Sequence, residues 1–242
     1  MTIITRGTAD TVDDTDEIRR LTALLATQKE AFLRNPYPTL AERSERVSAV
    51  ATMVLAHRAE MKAALHADFG WHPEAVADLI EILGVAGRAA YVLEQLPSWM
   101  ETERREIDPA LWGNASASVR YQPKGVIGNM VPWNFPFDLS FGPLIDMLAA
   151  GNRVILKPSD MGPACAQVMK SMVLETFDED LVAVVTGGLD LSIAFPTLAW
   201  DHLMFTGSPD VGRTVMRSAA NNLVPVTLEL GGKCPAIVTD DA

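Results

Sequence analysis

Asn134 lies in Pro-Trp-Asn-Phe-Pro at 132–136. Two prolines and two aromatic neighbours would hold its amide rigidly in an apolar pocket, where the NH2 could stabilise a developing oxyanion. An asparagine between prolines also serves turn geometry. Lys157 and Asp160 belong to Lys-Pro-Ser-Asp, just past an apolar run at 154–156. They offer a donor and an acceptor beyond a strand end. A carboxylate there could accept from ribose hydroxyls and would repel a 2'-phosphate, which favours NAD over NADP. The same two charges also suit a solvated turn. Glu229 lies in Val-Thr-Leu-Glu-Leu at 226–230, where alternation sets Thr227 and Glu229 on one face. On a central strand Glu229 would be partly buried and could act as a general base. On an edge strand it would be solvated.

Thr206-Gly207-Ser208-Pro209 reads as a strand feeding a glycine turn that opens a helix. The first amides of such a helix are unpaired and seat phosphate. The spacing over 207–214 also matches G-x-x-x-x-G-K-[ST], the phosphate loop of nucleotide triphosphatases, with Arg213 in place of lysine. Pro209 stiffens that loop, so the pyrophosphate of a dinucleotide fits it better than a triphosphate. The G-x-G-x-x-G fingerprint is absent. Cys234 follows Lys233, whose charge favours thiolate, but no base stands near it in sequence. Cys165 has the small apolar neighbours of an inert core cysteine. His57, His66 and His72 miss the i, i+4 spacing of a helical metal pair, and no metal site is expected.

These groups need a scaffold, and the chain from 125 onward supplies one. An apolar run at 126–131, a helix over 139–150 capped by Gly151-Asn152, and a second strand at 154–156 form a β-α-β unit. Ligands of such sheets gather beyond the carboxyl ends of the strands, where Asn134, Lys157 and Asp160 fall. A helix over 163–177, strands at 181–185, 202–205 and 226–230, and a further short strand at 235–238 continue the alternation. The fold class is α/β, a doubly wound parallel sheet preceded by helical hairpins.

Before that unit the chain reads as a frayed tail over 1–16 and a helical region over 17–114 with no visible chemistry. A weak strand at 115–124 then serves as linker or oligomerisation strand, and the nucleotide-binding domain takes 125–242. In the helical region Thr39 to Glu42 has the form of a capping box. Val47, Val50, Met53, Val54 and Leu55 are expected inward and the arginines outward, with a bend near His57. Pro97 is expected to end the helix that begins near 73.

The net charge of −11 argues against nucleic acid as a partner. With 48% apolar and 21% charged residues the chain is globular. Two cysteines make no disulfide framework, the first residues lack the form of a signal peptide, and no apolar run spans a bilayer. A cytoplasmic setting without membrane attachment is expected.

Val-Pro-Trp-Asn-Phe-Pro at 131–136, Lys-Pro-Ser-Asp at 157–160, Phe-Thr-Gly-Ser at 205–208 and Leu-Glu-Leu-Gly-Gly-Lys at 228–233 stand in the order and spacing of the aldehyde dehydrogenase superfamily, which the chain resembles over nearly all its length. Ala-Asp-Phe-Gly at 67–70 and Val-Val-Thr-Gly-Gly at 184–188 resemble the branch of coniferyl and fatty-aldehyde dehydrogenases. The resemblance implies a Rossmann-like domain that binds NAD and an enzyme that oxidises an aldehyde to the acid through a cysteine thioester. It implies Asn134 as oxyanion donor and Glu229 as activator of the hydrolytic water. Lys157, Ser159 and Asp160 would sit at the adenosine ribose. Gly207 and Ser208 would cap the pyrophosphate, and Phe205 and Leu230 would line the cofactor cleft. Val131, Pro132 and Trp133 would wall cofactor from substrate. Asp160 departs from the usual, longer Glu. The family's nucleophilic cysteine follows well after Leu-Glu-Leu-Gly-Gly-Lys, and neither Cys165 nor Cys234 matches it. The resemblance therefore implies an N-terminal part of a longer enzyme, inactive alone, and a homodimer when full length. A triphosphatase using 207–214 and a non-catalytic assembly fragment are the alternatives.

Overall fold

The computed structural model describes residues 13–239. Helix α1 (Thr15–Arg34) buries Leu21, Leu24, Leu25 and Ala31, one face at helical spacing. It begins within the expected tail, and Asp14 before it is buried. Thr39 opens α2 (Leu40–Ala56): its hydroxyl accepts from Glu42 N, and the Glu42 carboxylate accepts from Thr39 N. A break at His57 separates α3 (Arg58–Phe69), which ends at Gly70 with φ 73°. A short α4 (Glu74–Val76), a π-helical segment (Ala77–Gly84) and α5 (Val85–Trp99) follow without interruption. Next come an antiparallel pair, β1 (Glu103–Arg105) and β2 (Ala117–Val119), with α6 (Pro109–Trp112) between them.

The nucleotide-type half runs β3 (Val126–Met130), α7 (Asp138–Ala149), β4 (Arg153–Lys157), α8 (Pro163–Thr176), β5 (Val182–Val184), α9 (Leu189–Ala194), β6 (His202–Gly207), α10 (Pro209–Ala220) and β7 (Val226–Leu230). The five strands lie in the order β5-β4-β3-β6-β7, and all four pairings are parallel. Every residue of β3, β4 and β5 is buried, as expected of strands covered on both faces. One face packs on α2, α3, α5, α7 and α8. The other packs on α1, α9 and α10. From β3 the chain moves outward to β4 and β5, then returns to lay β6 on the opposite side of β3.

Several expectations need correction. Pro97 lies inside α5, which runs on to Trp99, because buried Leu96 keeps the last turn on the apolar stripe of Val85, Ala89 and Val92. Leu55 is exposed. Arg43 is buried instead of outward; its guanidinium donates to Pro38 O at 2.9 Å and to Ala149 O at 3.1 Å. That places a cation on a carbonyl of the last turn of α7, where the helix dipole favours it. No strand forms at 235–238, which finds no pairing partner and leaves Ile237 and Val238 exposed.

Candidate functional site

The pairing register draws a line across the carboxyl end of the sheet. Lys157 stands opposite Met130, Met130 opposite Phe205, and Phe205 opposite Leu228. One step further, Thr206 stands opposite Glu229, and Gly207 opposite Leu230. Side chains alternate between faces. Met130, Phe205, Leu228 and Leu230 join the core under α1 and α10. Met204 packs on the α7 side, so Thr206 and Glu229 belong to that face. Strands β3 and β6 are neighbours, yet α7 covers one face and α10 the other. Their connections part in opposite directions, the topology that in such sheets forms a ligand crevice at the carboxyl ends.

On the α10 side, Lys157 is 4% exposed, and its ammonium donates to Pro158 O at 3.2 Å. Burial lowers its pKa from the ordinary lysine value, against the opposing charges of Asp160 and Asp14. A buried ammonium, which carries three donors, suits a polyhydroxyl ligand. Ser159 Oγ accepts from Met161 N at 3.2 Å and shapes the turn. Asp160 is exposed. Ser208 caps α10, its hydroxyl accepting from Val211 N at 3.3 Å. A Cβ on Gly207 would stand 2.6 Å from the Phe205 ring, and one on Gly212 would stand 2.8 Å from Leu230. These glycines bring backbone close to the crevice and to β7, as a phosphate seat requires.

The triphosphatase reading fails on the same stretch. Residues that would have to wrap phosphate are the first turns of α10, and Arg213 is bound to Asp210 at 2.7 Å.

On the α7 side, Val131 is buried and its N–H donates to Lys157 O at 3.0 Å. Trp133 is half exposed, its ring 6.2 Å from Phe69. Asn134 is exposed rather than enclosed in an apolar pocket, and its side chain makes no hydrogen bond among the described residues. The loop exit is held firmly. Phe137 N and Asp138 N donate to Glu81 Oε2 at 2.9 and 2.6 Å, and Ser140 Oγ donates to Pro136 O. Glu81 is fully buried, and burial pushes its pKa up to about 7 against those two bonds.

Strand β7 is an edge in this chain, so Glu229 is exposed and the condition for a buried general base is not met. It still lies at the carboxyl end, on the face of Thr206. That face also carries two buried groups without a protein partner among the described residues, the Thr206 hydroxyl and the whole Asn129 amide. Cys165 is buried, and burial and Asp68 raise its pKa. Cys234 is exposed. Among the described residues no group of three or more His, Cys, Asp or Glu could hold a metal, and no helix is long and apolar enough to cross a membrane.

Two buried acids, Glu81 and Asp14, do not stand out in the sequence. A lone acid in the apolar stretch 79–84 was the available signal for the first. Nothing marked Asp14, whose carboxylate accepts from Gly188 N and Leu191 N at 2.9 Å.

The crevice thus has a cation and a phosphate-type helix start on one side and a proline-held amide on the other. The model for the aldehyde dehydrogenase family matches residues 7–242. A probable coniferyl aldehyde dehydrogenase of Caulobacter vibrioides is 42% identical over 221 residues, 90% of this chain and 46% of that protein. The coniferyl aldehyde dehydrogenase of a Pseudomonas species is 39% identical over 223 residues, 92% and 46% of the two. The substrate-bound structure of Staphylococcus aureus AldH superposes with a TM-score of 0.85 at 31% identity, over 91% of this chain and 48% of that one. Mycobacterium tuberculosis aldehyde dehydrogenase complexed with NAD+ gives 0.77 at 29% identity, over 89% and 44%. The chain spans about half the length of the curated relatives it matches. The chain belongs to the aldehyde dehydrogenase family.

Proposed function

We propose that this chain supplies the NAD-binding half of an enzyme that oxidises an aldehyde to the carboxylic acid. The observation that carries the reading is the crevice between β3 and β6, with Lys157, Gly207 and Ser208 at one side and Asn134 at the other. NAD, when bound, supplies the acceptor for the hydride. Lys157, Ser159 and Asp160 would hold its adenosine ribose. Gly207 and Ser208 would receive the pyrophosphate at the start of α10, and Phe205 and Leu230 would floor the cleft. Val131, Pro132 and Trp133 would separate cofactor from substrate.

The Asn134 amide would donate to the oxyanion formed when a thiolate adds to the carbonyl. Glu229 would take a proton from the water that hydrolyses the resulting thioester. Neither cysteine of the chain suits the thiolate: Cys165 is buried with a raised pKa, and Cys234 is exposed without an oriented base. We therefore place the nucleophile outside these 242 residues. The half-exposed ring of Trp133 next to Asn134, with Phe69 6.2 Å from it, favours an aromatic or long-chain aldehyde, in line with the coniferyl aldehyde dehydrogenases among the relatives.

NAD titration of the purified chain, followed by calorimetry, tests the cofactor half. Lys157→Ala should weaken binding about tenfold, as expected for a lost charged hydrogen bond. Equal binding by parent and variant would contradict it. Aldehyde-dependent NAD reduction by the chain alone at ordinary enzyme rates would contradict the placement of the nucleophile.

A further inference from the structure

Glu81 comes from the helical region, where the sequence shows no chemistry. It nevertheless touches the piece of backbone that leads out of the Asn134 loop. Phe137, the residue before α7, offers no side chain to cap that helix. The first amides of a helix need acceptors. The chain takes one from 56 positions away: Glu81 Oε2 accepts from Phe137 N at 2.9 Å and, with a separation of 57, from Asp138 N at 2.6 Å. Phe135 O accepts from Leu139 N at 3.1 Å, and Pro136 O from Ser140 Oγ. Residues 135–138 are thus tied on both donor and acceptor sides. Upstream, Val131 N is tied to β4. Between these anchors only 132–134 remain, and Pro132 and the Trp133–Phe69 contact restrict two of them.

Two further features set Glu81 apart from an ordinary cap. It is fully buried, and its second oxygen, Oε1, has no partner among the described residues. A local Ser or Asp at the N-cap would satisfy the same amides without burying a carboxylate. It also sits on a π-helical segment, a costly geometry that tends to persist at functional sites. We propose that Glu81 is a positioning residue for Asn134: by clamping the Phe137 and Asp138 amides it fixes the exit of the 132–136 loop, so that the Asn134 amide is presented to the substrate carbonyl in one orientation. This rests on the reading of Asn134 as oxyanion donor.

Two measurements test it. Hydrogen exchange at Phe137 and Asp138 in the full chain reads the clamp without catalysis. Glu81→Ala should accelerate both amides about tenfold or more, and Glu81→Gln, which keeps an acceptor oxygen, by less. Unchanged exchange in both variants would overturn the proposal. The second measurement is a double-mutant cycle on aldehyde oxidation by the enzyme containing this chain. Glu81→Gln should lower kcat about tenfold with KM for NAD unchanged, and adding it to Asn134→Ala should cost nothing more. Additive losses, or a loss confined to KM for NAD, would show that Glu81 acts on stability or cofactor instead of through Asn134. If Asn134→Ala alone leaves kcat intact, the oxyanion reading fails, and the exchange result still decides whether the clamp exists.

Discussion

Asn134 projects from a loop whose neighbours on both sides are anchored, while its own amide stays available. That combination of a fixed backbone and an uncommitted side chain suits an electrostatic catalyst, which must be aimed before the charge appears. The residue type and its two prolines were visible in the sequence; the anchor was not, since nothing local links Glu81 to Phe137. Lys157 and the glycine at 207 were likewise legible, because each follows an apolar strand. Glu229 was legible as a residue but not in its environment, which depends on whether β7 has a neighbour on both sides. Glu81 also makes a residue-scale prediction about pH. Its folded pKa, about 7, lies above the ordinary 4.5. The folded state therefore holds this proton more tightly, so the contribution to stability is full below about pH 4.5 and is lost as pH rises through about 7. Half-buried Asp138 is shifted in the same direction by burial. Urea unfolding of the parent should lose up to about 3 kcal/mol relative to Glu81→Gln between pH 5 and pH 8. A difference that stays constant across that range would refute the shift.

At the scale of elements, the strongest local signals produced the expected structure. The capping box at Thr39 forms, Gly151 terminates α7 with φ 91°, and the β-α-β unit closes as read. What failed was judged by one local rule against a tertiary one. Pro97 forbids a helical hydrogen bond, but the packing of Leu96 carries α5 past it. The π-helical turn leaves no mark in composition, and β1 is too short for a period to show. Gly128 in β3 illustrates how tightly these elements fit. A Cβ there would stand 2.8 Å from the rings of both Phe195 and Trp200. Those rings lie 4.6 Å apart, and the Trp200 indole donates to Phe195 O at 2.8 Å, so neither can yield freely. Gly128→Ala should cost about 1–3 kcal/mol of stability, read as a lower urea midpoint with unchanged slope. An unchanged midpoint would mean that the segment 195–200 gives way without cost.

Across the whole molecule, one sheet separates two apolar cores, and the crevice opens where the chain reverses direction across β3. The parallel, doubly wound class followed from strands alternating with helices. The order of strands did not, because alternation alone leaves open on which side β6 returns. The edge is the other feature of this scale. Among the described residues strand β7 pairs with β6 on one side, and beyond it Ile237 and Val238 are largely exposed. Open strand edges next to apolar residues invite pairing between chains. Sedimentation of the 242-residue chain should show association that grows with concentration, and Ile237→Lys combined with Val238→Lys should reduce it. A chain that stays monomeric at high concentration would show the edge to be protected by its own charge.

The line of paired residues at the end of the sheet puts Phe205 and Thr206 on opposite faces, and likewise Leu228 and Glu229. The proposed cofactor floor and the proposed general base are therefore neighbours in sequence on β7, as Phe205 and Thr206 are on β6. A single inserted or deleted codon would exchange the faces: within 226–230 it would send Glu229 toward the aliphatic core, and within 202–207 it would turn Phe205 onto the α7 face. A change of two codons would restore the sidedness at the cost of reach. Loop lengths around this sheet can vary freely, but in these strands only even steps leave Phe205 and Glu229 on their present faces.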